Sequence, residues 1–223
     1  MSFEKSPFAV KITELINLAR EADENCKEFG ANKHRYKLNP VIPLSQIRDF
    51  EKRHKIKFPQ GYVDFLTQVG NGGAGPDYGI YSLEEVEFQN YYNHSNAICH
   101  YTLVKNRPDY YTLPYTVEGK EIMFNSQLIK EKWDDLNNKL DLADKSGNDA
   151  EYDKIYIEAY NGLLEIVNSG CTGCVMLICD GDMFGEVLAF SHELDFMPSP
   201  LHMTFEDWMI KHFEDVIEKY KKA

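Results

Sequence analysis

The sequence contains no apolar run long enough to cross a membrane. Its most apolar segment, Cys174 to Cys179, has six residues, whereas a transmembrane helix needs about 20. The first residues, Met1 to Pro7, contain no apolar core of signal-peptide length. We therefore expect a soluble cytoplasmic protein that does not act at a membrane.

Cysteine is scarce and unevenly placed. The chain has five cysteines, an odd number that argues against a disulfide framework and favours a reducing compartment. Cys171 and Cys174 have the spacing of a metal-binding pair, but a zinc site needs two further ligands and no second pair follows. We predict no metal site. We also expect Cys174 and Cys179 to point to opposite faces of a strand, because side chains alternate along strands.

Positive charge is the next deficit. The 223 residues include 36 acidic and 24 basic side chains, which gives a formal net charge of -12. Phosphate groups repel such a chain, so we expect no direct binding to nucleic acid. Residues 1–75 carry 12 basic and 9 acidic side chains, whereas residues 76–223 carry 12 basic and 27 acidic ones. This acidity is common in soluble proteins, and it also suits a basic protein partner.

The chain also lacks a complete catalytic constellation. His192 and His202 can supply a general base, but nothing in the sequence orients a nucleophile beside them. The glycines from Gly70 to Gly75 follow a predicted helix and lack the Lys-Ser/Thr of a phosphate-binding loop. We predict no catalytic residue and no cofactor. A hydrolase that uses His192 and His202, or a metal held by loop carboxylates, is the enzymatic alternative.

The sequence does contain enough apolar periodicity for a folded core, since 43% of its residues are hydrophobic. Helical spacing predicts helices from Ser6-Pro7 to Gly30, from Ser45 to about Lys55, from Pro59 to Gly70, over Leu128 to Leu140, over Tyr152 to Ile166, and from Thr204 onwards. The predicted strands are Tyr78–Tyr81, a central Cys174–Cys179 and its antiparallel partner Glu186–Phe190. Ser82 and Glu85 predict a capped turn, and the composition of residues 88–118 predicts an irregular stretch that can include short helices. This order of elements predicts an α+β fold and one domain.

One part of the chain resembles a known family. The stretch from Ile47 to Glu85 combines Phe50-Glu51, Phe58-Pro59, Tyr62, Phe65-Leu66, Asn71-Gly72-Gly73 and a strand that begins at Gly79. Gly173, Gly185-Glu186-Val187 and the pair Phe205 and Trp208 give a second, shorter match. These segments, about 90 residues in all, resemble the SUKH superfamily, which includes fungal cell-wall-assembly regulators and many bacterial immunity proteins.

The resemblance implies a central, mainly antiparallel sheet flanked by helices, in a protein without enzymatic activity. It implies one SUKH-like domain over residues 1–223, with an added N-terminal helix (1–30) and a helical middle insertion (about 88–165). Bacterial members bind and neutralise polymorphic toxins, often nucleases, and fungal members are regulatory scaffolds. The resemblance implies mostly structural roles for the residues of its first block, namely Pro59, Tyr62, Phe65, Leu66, Gly72 and Gly73.

We therefore expect an immunity protein that binds a basic toxin in the bacterial cytoplasm. Acidic residues next to the predicted strands are the expected contacts, with Tyr78 or Phe184 as an aromatic anchor. The predicted partner-binding residues are Asp77, Tyr78, Glu84, Glu85, Asp180, Asp182, Phe184 and Glu186. A regulatory protein-interaction module of the same family, with no toxin partner, is the alternative. The sequence leaves the oligomeric state open.

Overall fold

The computed structural model describes residues 4–54, 56–92, 126–160, 162–179, 183–191 and 199–221. Its helices are α1 (Pro7–Ala22), α2 (Ala31–His34), α3 (Leu44–His54), α4 (Gln60–Asp64), a π-helix (Phe65–Val69), α5 (Leu83–Tyr92), α6 (Ser126–Ser146), α7 (Asp149–Tyr160) and α8 (Phe205–Lys221). Its strands are β1 (Leu163–Gly170), β2 (Gly173–Ile178), β3 (Glu186–Ser191) and β4 (Ser199–Thr204).

The four strands form one antiparallel sheet in the order β1-β2-β3-β4. The central position of β2 and its antiparallel pairing with β3 confirm the prediction from the short apolar run. Cys174 pairs with Phe190 across these two strands, and Met176 pairs with Leu188. The helices lie on both sides of the sheet, so the predicted α+β class with a flanked antiparallel sheet is confirmed.

Each face of the sheet has its own core because side chains alternate along β2. Val175 and Leu177 face the larger core, to which α1, α3, α4, α5 and α8 contribute. Cys174 and Met176 face a smaller core against α6 and α7. Cys179 belongs to the larger core, so the two cysteines do lie on opposite sides, as predicted. Helices α6 and α7 thus pack on the smaller-core face of the sheet against β1, β2 and β3.

The predicted helix from Tyr152 to Ile166 is wrong in its second half. Helix α7 ends at Tyr160, and Leu163 and Ile166 lie in β1. Gly162, with φ of 79°, separates the two elements in a conformation that L side chains rarely adopt. Strand β4 was also missed, so His202 lies in an edge strand rather than in a polar loop.

The N-terminal helix begins as predicted and ends earlier. The side chain of Ser6 accepts a hydrogen bond from the amide of Ala9, and Pro7 occupies the first turn. The helix ends at Ala22 instead of at Gly30, because the buried carboxylate of Asp23 organises the chain that follows. It accepts hydrogen bonds from the amides of Lys27 and Glu28, at 2.7 and 3.0 Å.

The glycine-rich loop connects the N-terminal region to the sheet. Gly73 forms antiparallel bridges with both Leu38 and Ile80, and Ile80 bridges to Val167 of β1. The predicted strand Tyr78–Tyr81 is therefore a single-residue bridge beside β1. The capping box is confirmed, since the Glu85 carboxylate accepts from the Ser82 amide at 2.7 Å. The capping box begins helix α5 and not the turn that was predicted. Most of the predicted irregular stretch 88–118 lies outside the described residues.

Candidate functional site

The predicted partner-binding residues do not form one cluster. Asp77 and Tyr78 lie at the end of the sheet where β1 turns into β2, because the Tyr78 amide faces the carbonyl of Asn168. Phe184 and Glu186 lie at the turn between β2 and β3, at the opposite end. Strand β2 spans six residues between these ends, a distance of about 17 Å. Asp180 and Asp182 lie outside the described residues.

At the first of these ends, Tyr78 belongs to an exposed aromatic pair. Its ring centroid lies 5.4 Å from that of Phe29, and the two side chains are 38% and 55% exposed. The ammonium group of Lys33 lies 5.9 Å from the centre of the Tyr78 ring. Asp77 accepts a hydrogen bond from the Ser169 hydroxyl at 2.6 Å. At this end of the sheet, Lys33 and Phe29 therefore lie beside Tyr78, and the Asp77 carboxylate is bound to Ser169.

At the other end, Phe184 is 45% exposed in the turn that precedes β3. Glu186 begins β3 and is half-buried. The neighbouring Gly185 lies against Pro59, because a Cβ atom at Gly185 would stand 3.4 Å from the Pro59 ring. This contact places Phe184 beside the start of α4.

The two predicted glutamates of α5 have different roles. Glu85 is the capping residue, and its carboxylate is bound to the Ser82 amide. Glu84 points to the other side, where its Oε2 accepts from the side-chain amide of Asn71 at 3.0 Å. Glu84 therefore lines a pocket, whereas Glu85 stabilises the helix start.

This pocket lies between α3 and α5 and has a volume of about 210 Å³. Its lining has polar residues on both walls and an apolar floor, and it consists of Gln46, Asp49, Phe50, Arg53, Leu83, Glu84 and Glu87. We refer to it as the α3–α5 pocket. Three of its lining side chains are carboxylates. Only one of the three forms an ion pair with a basic side chain of the pocket.

That carboxylate is Glu87, and it is held on two sides. Arg53 donates to both of its oxygens, at 3.0 and 3.1 Å. The buried imidazole of His54 lies 2.7 Å from the same carboxylate. Asp49 is exposed and has no ion-pair or hydrogen-bond partner among the described residues. The pocket thus presents Asp49 and Glu84 as carboxylates that no basic side chain of the described chain neutralises.

Sequence reasoning pointed to Glu84 as a contact and missed Asp49 and Gln46. The three α3 residues Gln46, Asp49 and Arg53 are spaced three and four apart, which places them on one helix face. Glu84 and Glu87 are spaced three apart on α5. This spacing indicates two polar faces, but only the folded chain shows that the faces oppose each other.

The enzymatic alternatives find little support in the described residues. Burial, with a smaller contribution from Glu165, raises the pKa of the Cys174 thiol, which makes it a poor nucleophile or metal ligand. Cys171 is exposed. His202 lies in β4, and His192 lies outside the described ranges. Within those ranges, no three His, Cys, Asp or Glu side chains are grouped so that they could hold a metal ion.

The residues that carried the family resemblance are structural in this fold. Tyr62, Phe65 and Leu66 are fully buried in the larger core. The buried carboxylate of Glu51 accepts a hydrogen bond from the amide of Phe58 at 2.9 Å, which fixes the turn between α3 and α4. The buried residues of the motif therefore define a scaffold, and one of them, Phe50, also lines the α3–α5 pocket.

The fold defines a class of α+β proteins in which helices cover both faces of an antiparallel four-stranded sheet. Within that class, the model of the SMI1 / KNR4 family (SUKH-1) matches residues 42–211. The chain belongs to this family. Comparison with curated proteins and with solved structures gives no significant match. None of the helices that the structure describes is both long and apolar enough to span a bilayer.

Proposed function

We propose that this protein is an immunity protein that binds a cognate toxin in the bacterial cytoplasm and neutralises it. Membership of the SUKH-1 family supports the proposal, because the resemblance described above extends to bacterial immunity proteins. The structural observation that carries it is the α3–α5 pocket, where Asp49 and Glu84 present carboxylates without a basic partner. Such a surface suits a basic protein.

A nuclease is the toxin class that fits the charge best. Nucleases bind phosphate groups with basic residues, so an acidic inhibitor can occupy the same field and associate rapidly. The net charge of -12 acts at long range, and the carboxylates of the pocket act at contact. Three of the predicted contact residues have exposed side chains, namely Tyr78, Glu84 and Phe184. We propose that these three contact the toxin.

The test is co-expression with the toxin domain encoded next to this protein. Cells that produce the toxin alone should stop growing, and cells that also produce this protein should grow normally. The test variant is Asp49→Lys/Glu84→Lys. It should remain folded and soluble but protect the cells less than the wild-type protein does. Growth arrest despite soluble wild-type protein would remove the immunity proposal for that toxin.

The salt dependence of toxin binding then tests the electrostatic part. Raising the ionic strength from about 0.05 to 0.5 M shortens the screening length, so the association rate constant should fall at least tenfold. An association rate that does not change with salt would indicate an apolar interface. A soluble protein that finds no toxin in such assays, but captures a regulatory enzyme of its own cell, would support the scaffold alternative.

A further inference from the structure

We propose that the α3–α5 pocket receives an arginine side chain of the protein partner. The inference deepens the proposed function and rests on it for the nature of the partner. The pocket itself can be examined without any toxin, so the two proposals can fail separately.

The size of the pocket selects a single long side chain. The volume of the pocket is about 210 Å³. Pockets that enclose drug-sized ligands begin at about 300 Å³, so this pocket is smaller than a typical small-molecule site. A folded peptide segment is larger still. One extended side chain fills the space.

The lining selects a cation with an apolar stem. Leu83 offers a small apolar surface where methylene groups can pack, whereas Phe50 is fully buried beneath Arg53, whose guanidinium carbon lies 5.8 Å from the centre of the ring. The ionised lining groups are Asp49, Glu84 and Glu87 against Arg53, which leaves a net charge of -2. Because Arg53 already binds Glu87, the two carboxylates left for an incoming cation are Asp49 on α3 and Glu84 on α5.

The arrangement of acceptors selects arginine over lysine. Asp49 and the amide of Gln46 lie on one wall, and Glu84 lies on the other. A guanidinium group is planar, carries five N–H donors in a fixed fork and can bind acceptors on both sides. An ammonium group is a compact point charge that has to keep more of its hydration.

One of the two free carboxylates, Glu84, is also held in place before a partner arrives. The buried side chain of Asn71 donates to Glu84 and accepts from the amide of Leu83 at 2.9 Å. On the same helix, Glu87 is fixed by Arg53 and by the buried His54. A site that is already ordered loses less conformational entropy on binding.

The direct test uses three peptides and nuclear magnetic resonance of the full-length ¹⁵N-labelled protein. The probes are acetyl-Gly-Arg-Gly-amide, its lysine counterpart and its citrulline counterpart, which is nearly isosteric with arginine but neutral. We expect saturable shifts at the amides of Gln46, Asp49, Leu83 and Glu84 with the arginine peptide. The lysine peptide should bind at least threefold more weakly, and the citrulline peptide should produce no saturable shift.

A pair of matched variants tests the role of the two carboxylates. Asp49→Asn/Glu84→Gln removes both charges and keeps an acceptor for Asn71. Glu14→Gln/Glu21→Gln removes two exposed carboxylates of α1 that have no partner in the described part of the chain, so the net charge changes equally. The arginine peptide should lose at least tenfold in affinity for the first variant and less than twofold for the second. Equal losses, or shifts spread over the whole surface, would overturn the inference, as would lysine binding at least as tightly as arginine.

The same variants separate this inference from the proposed function once a toxin is in hand. Toxin affinity should fall at least tenfold for Asp49→Asn/Glu84→Gln and less than twofold for the control. Tight toxin binding by both variants would retain the immunity function and refute the pocket as its contact. Arginine binding in the pocket without any toxin binding would refute the immunity function instead.

Discussion

Two fully buried tyrosines have opposite hydrogen-bonding states. The hydroxyl of Tyr36 donates to the carboxylate of Asp23 at 2.8 Å. The hydroxyl of Tyr62, whose side chain is 0% exposed, has no hydrogen-bond partner among the described residues. Burial raises the pKa of Tyr62, so the hydroxyl stays neutral. An unpaired buried hydroxyl costs about 1–3 kcal/mol of stability, whereas a bond to a buried carboxylate stabilises.

We predict that Tyr36→Phe lowers stability and that Tyr62→Phe does not. Tyr62→Phe removes only an unpaired group, so the free energy of unfolding should stay constant or rise by about 1 kcal/mol. Tyr36→Phe removes one of the donors to the buried Asp23, so the free energy of unfolding should fall by about 2 kcal/mol. Urea unfolding of both variants at neutral pH measures the difference. Equal losses would mean that Tyr62 does find a partner.

The lowered pKa of the half-buried His212 makes the stability of the protein depend on pH. His212 lies on α8, and Glu28, His34 and Asp215 are the titratable groups around it. Burial lowers its pKa to about 4, although Glu28 and Asp215 oppose this effect. Burial also lowers the pKa of His34. The folded protein therefore keeps both imidazoles neutral at pH values where an unfolded chain would protonate them.

Between about pH 6.5 and pH 4, the unfolded chain binds a proton at His212 that the folded chain does not. Stability must therefore fall as the pH is lowered through this window. For His212 alone the loss between pH 7 and pH 5 is about 2 kcal/mol. In His212→Gln the difference in unfolding free energy between these pH values should shrink by about that amount. An unchanged difference would show that His212 is protonated in the folded state.

At the scale of elements, the glycine-rich loop depends on a close backbone approach. Gly73 has φ of 105°, and a Cβ atom there would lie 2.4 Å from the carbonyl oxygen of Lys37. Gly147, between α6 and α7, has φ of 64° and nothing within 4 Å of a Cβ atom. The first glycine is required by sterics and conformation, and the second by conformation alone.

We predict that alanine at these two positions has very different costs. Gly147→Ala should lower the unfolding free energy by about 1 kcal/mol, the cost of a left-handed conformation. Gly73→Ala should lower it by about 3 kcal/mol or more, because the bridges to Leu38 and Ile80 cannot persist. Thermal and urea unfolding measure both. Similar costs would show that the loop can move away from Lys37.

Local signals in the sequence predicted those elements that local physics determines. The cap at Ser6 was recognised from the proline that follows it, and those at Ser82 and Thr204 from an acidic residue three positions later. Strand β1 was missed because Leu163 and Ile166 continue the helical spacing of α7 by coincidence. Strand β4 was missed because Pro200 is untypical of a strand and is tolerated only at an edge.

The candidate site was predictable only in part. Glu84 and Glu85 were predicted from the acidic residues that follow Tyr81, but nothing local separates a capping glutamate from one that lines a pocket. Asp49 lies in the part of the chain whose charges nearly balance, so a count along the sequence gave it no weight. The pocket depends on α3 lying opposite α5, where Arg53 and His54 of α3 bind Glu87 of α5 and Phe50 and Leu83 both belong to the larger core.

At the scale of the whole molecule, the N-terminal segment and helix α6 are both joined to the core of the fold. Residues 1–41 precede the family match, yet Ile12, Ile16 and Tyr36 are buried in the larger core. Leu136 and Leu140 of α6 pack on the opposite face of the sheet. We therefore propose that the chain folds as one domain, in which the N-terminal helix and the middle region are integral.

This proposal predicts one cooperative unfolding transition that responds to both additions. Ile12→Ala in α1 and Leu140→Ala in α6 each remove buried methyl groups, and each should lower the unfolding free energy by about 2–4 kcal/mol. Leu142→Ala, on the same helix but 68% exposed, should change it by less than about 0.5 kcal/mol. Circular dichroism and tyrosine fluorescence should give coincident urea transitions for all four proteins. A second transition that moves only with Leu140→Ala would show that α6 and α7 form a separate unit, because a shared core transmits the loss to the entire fold.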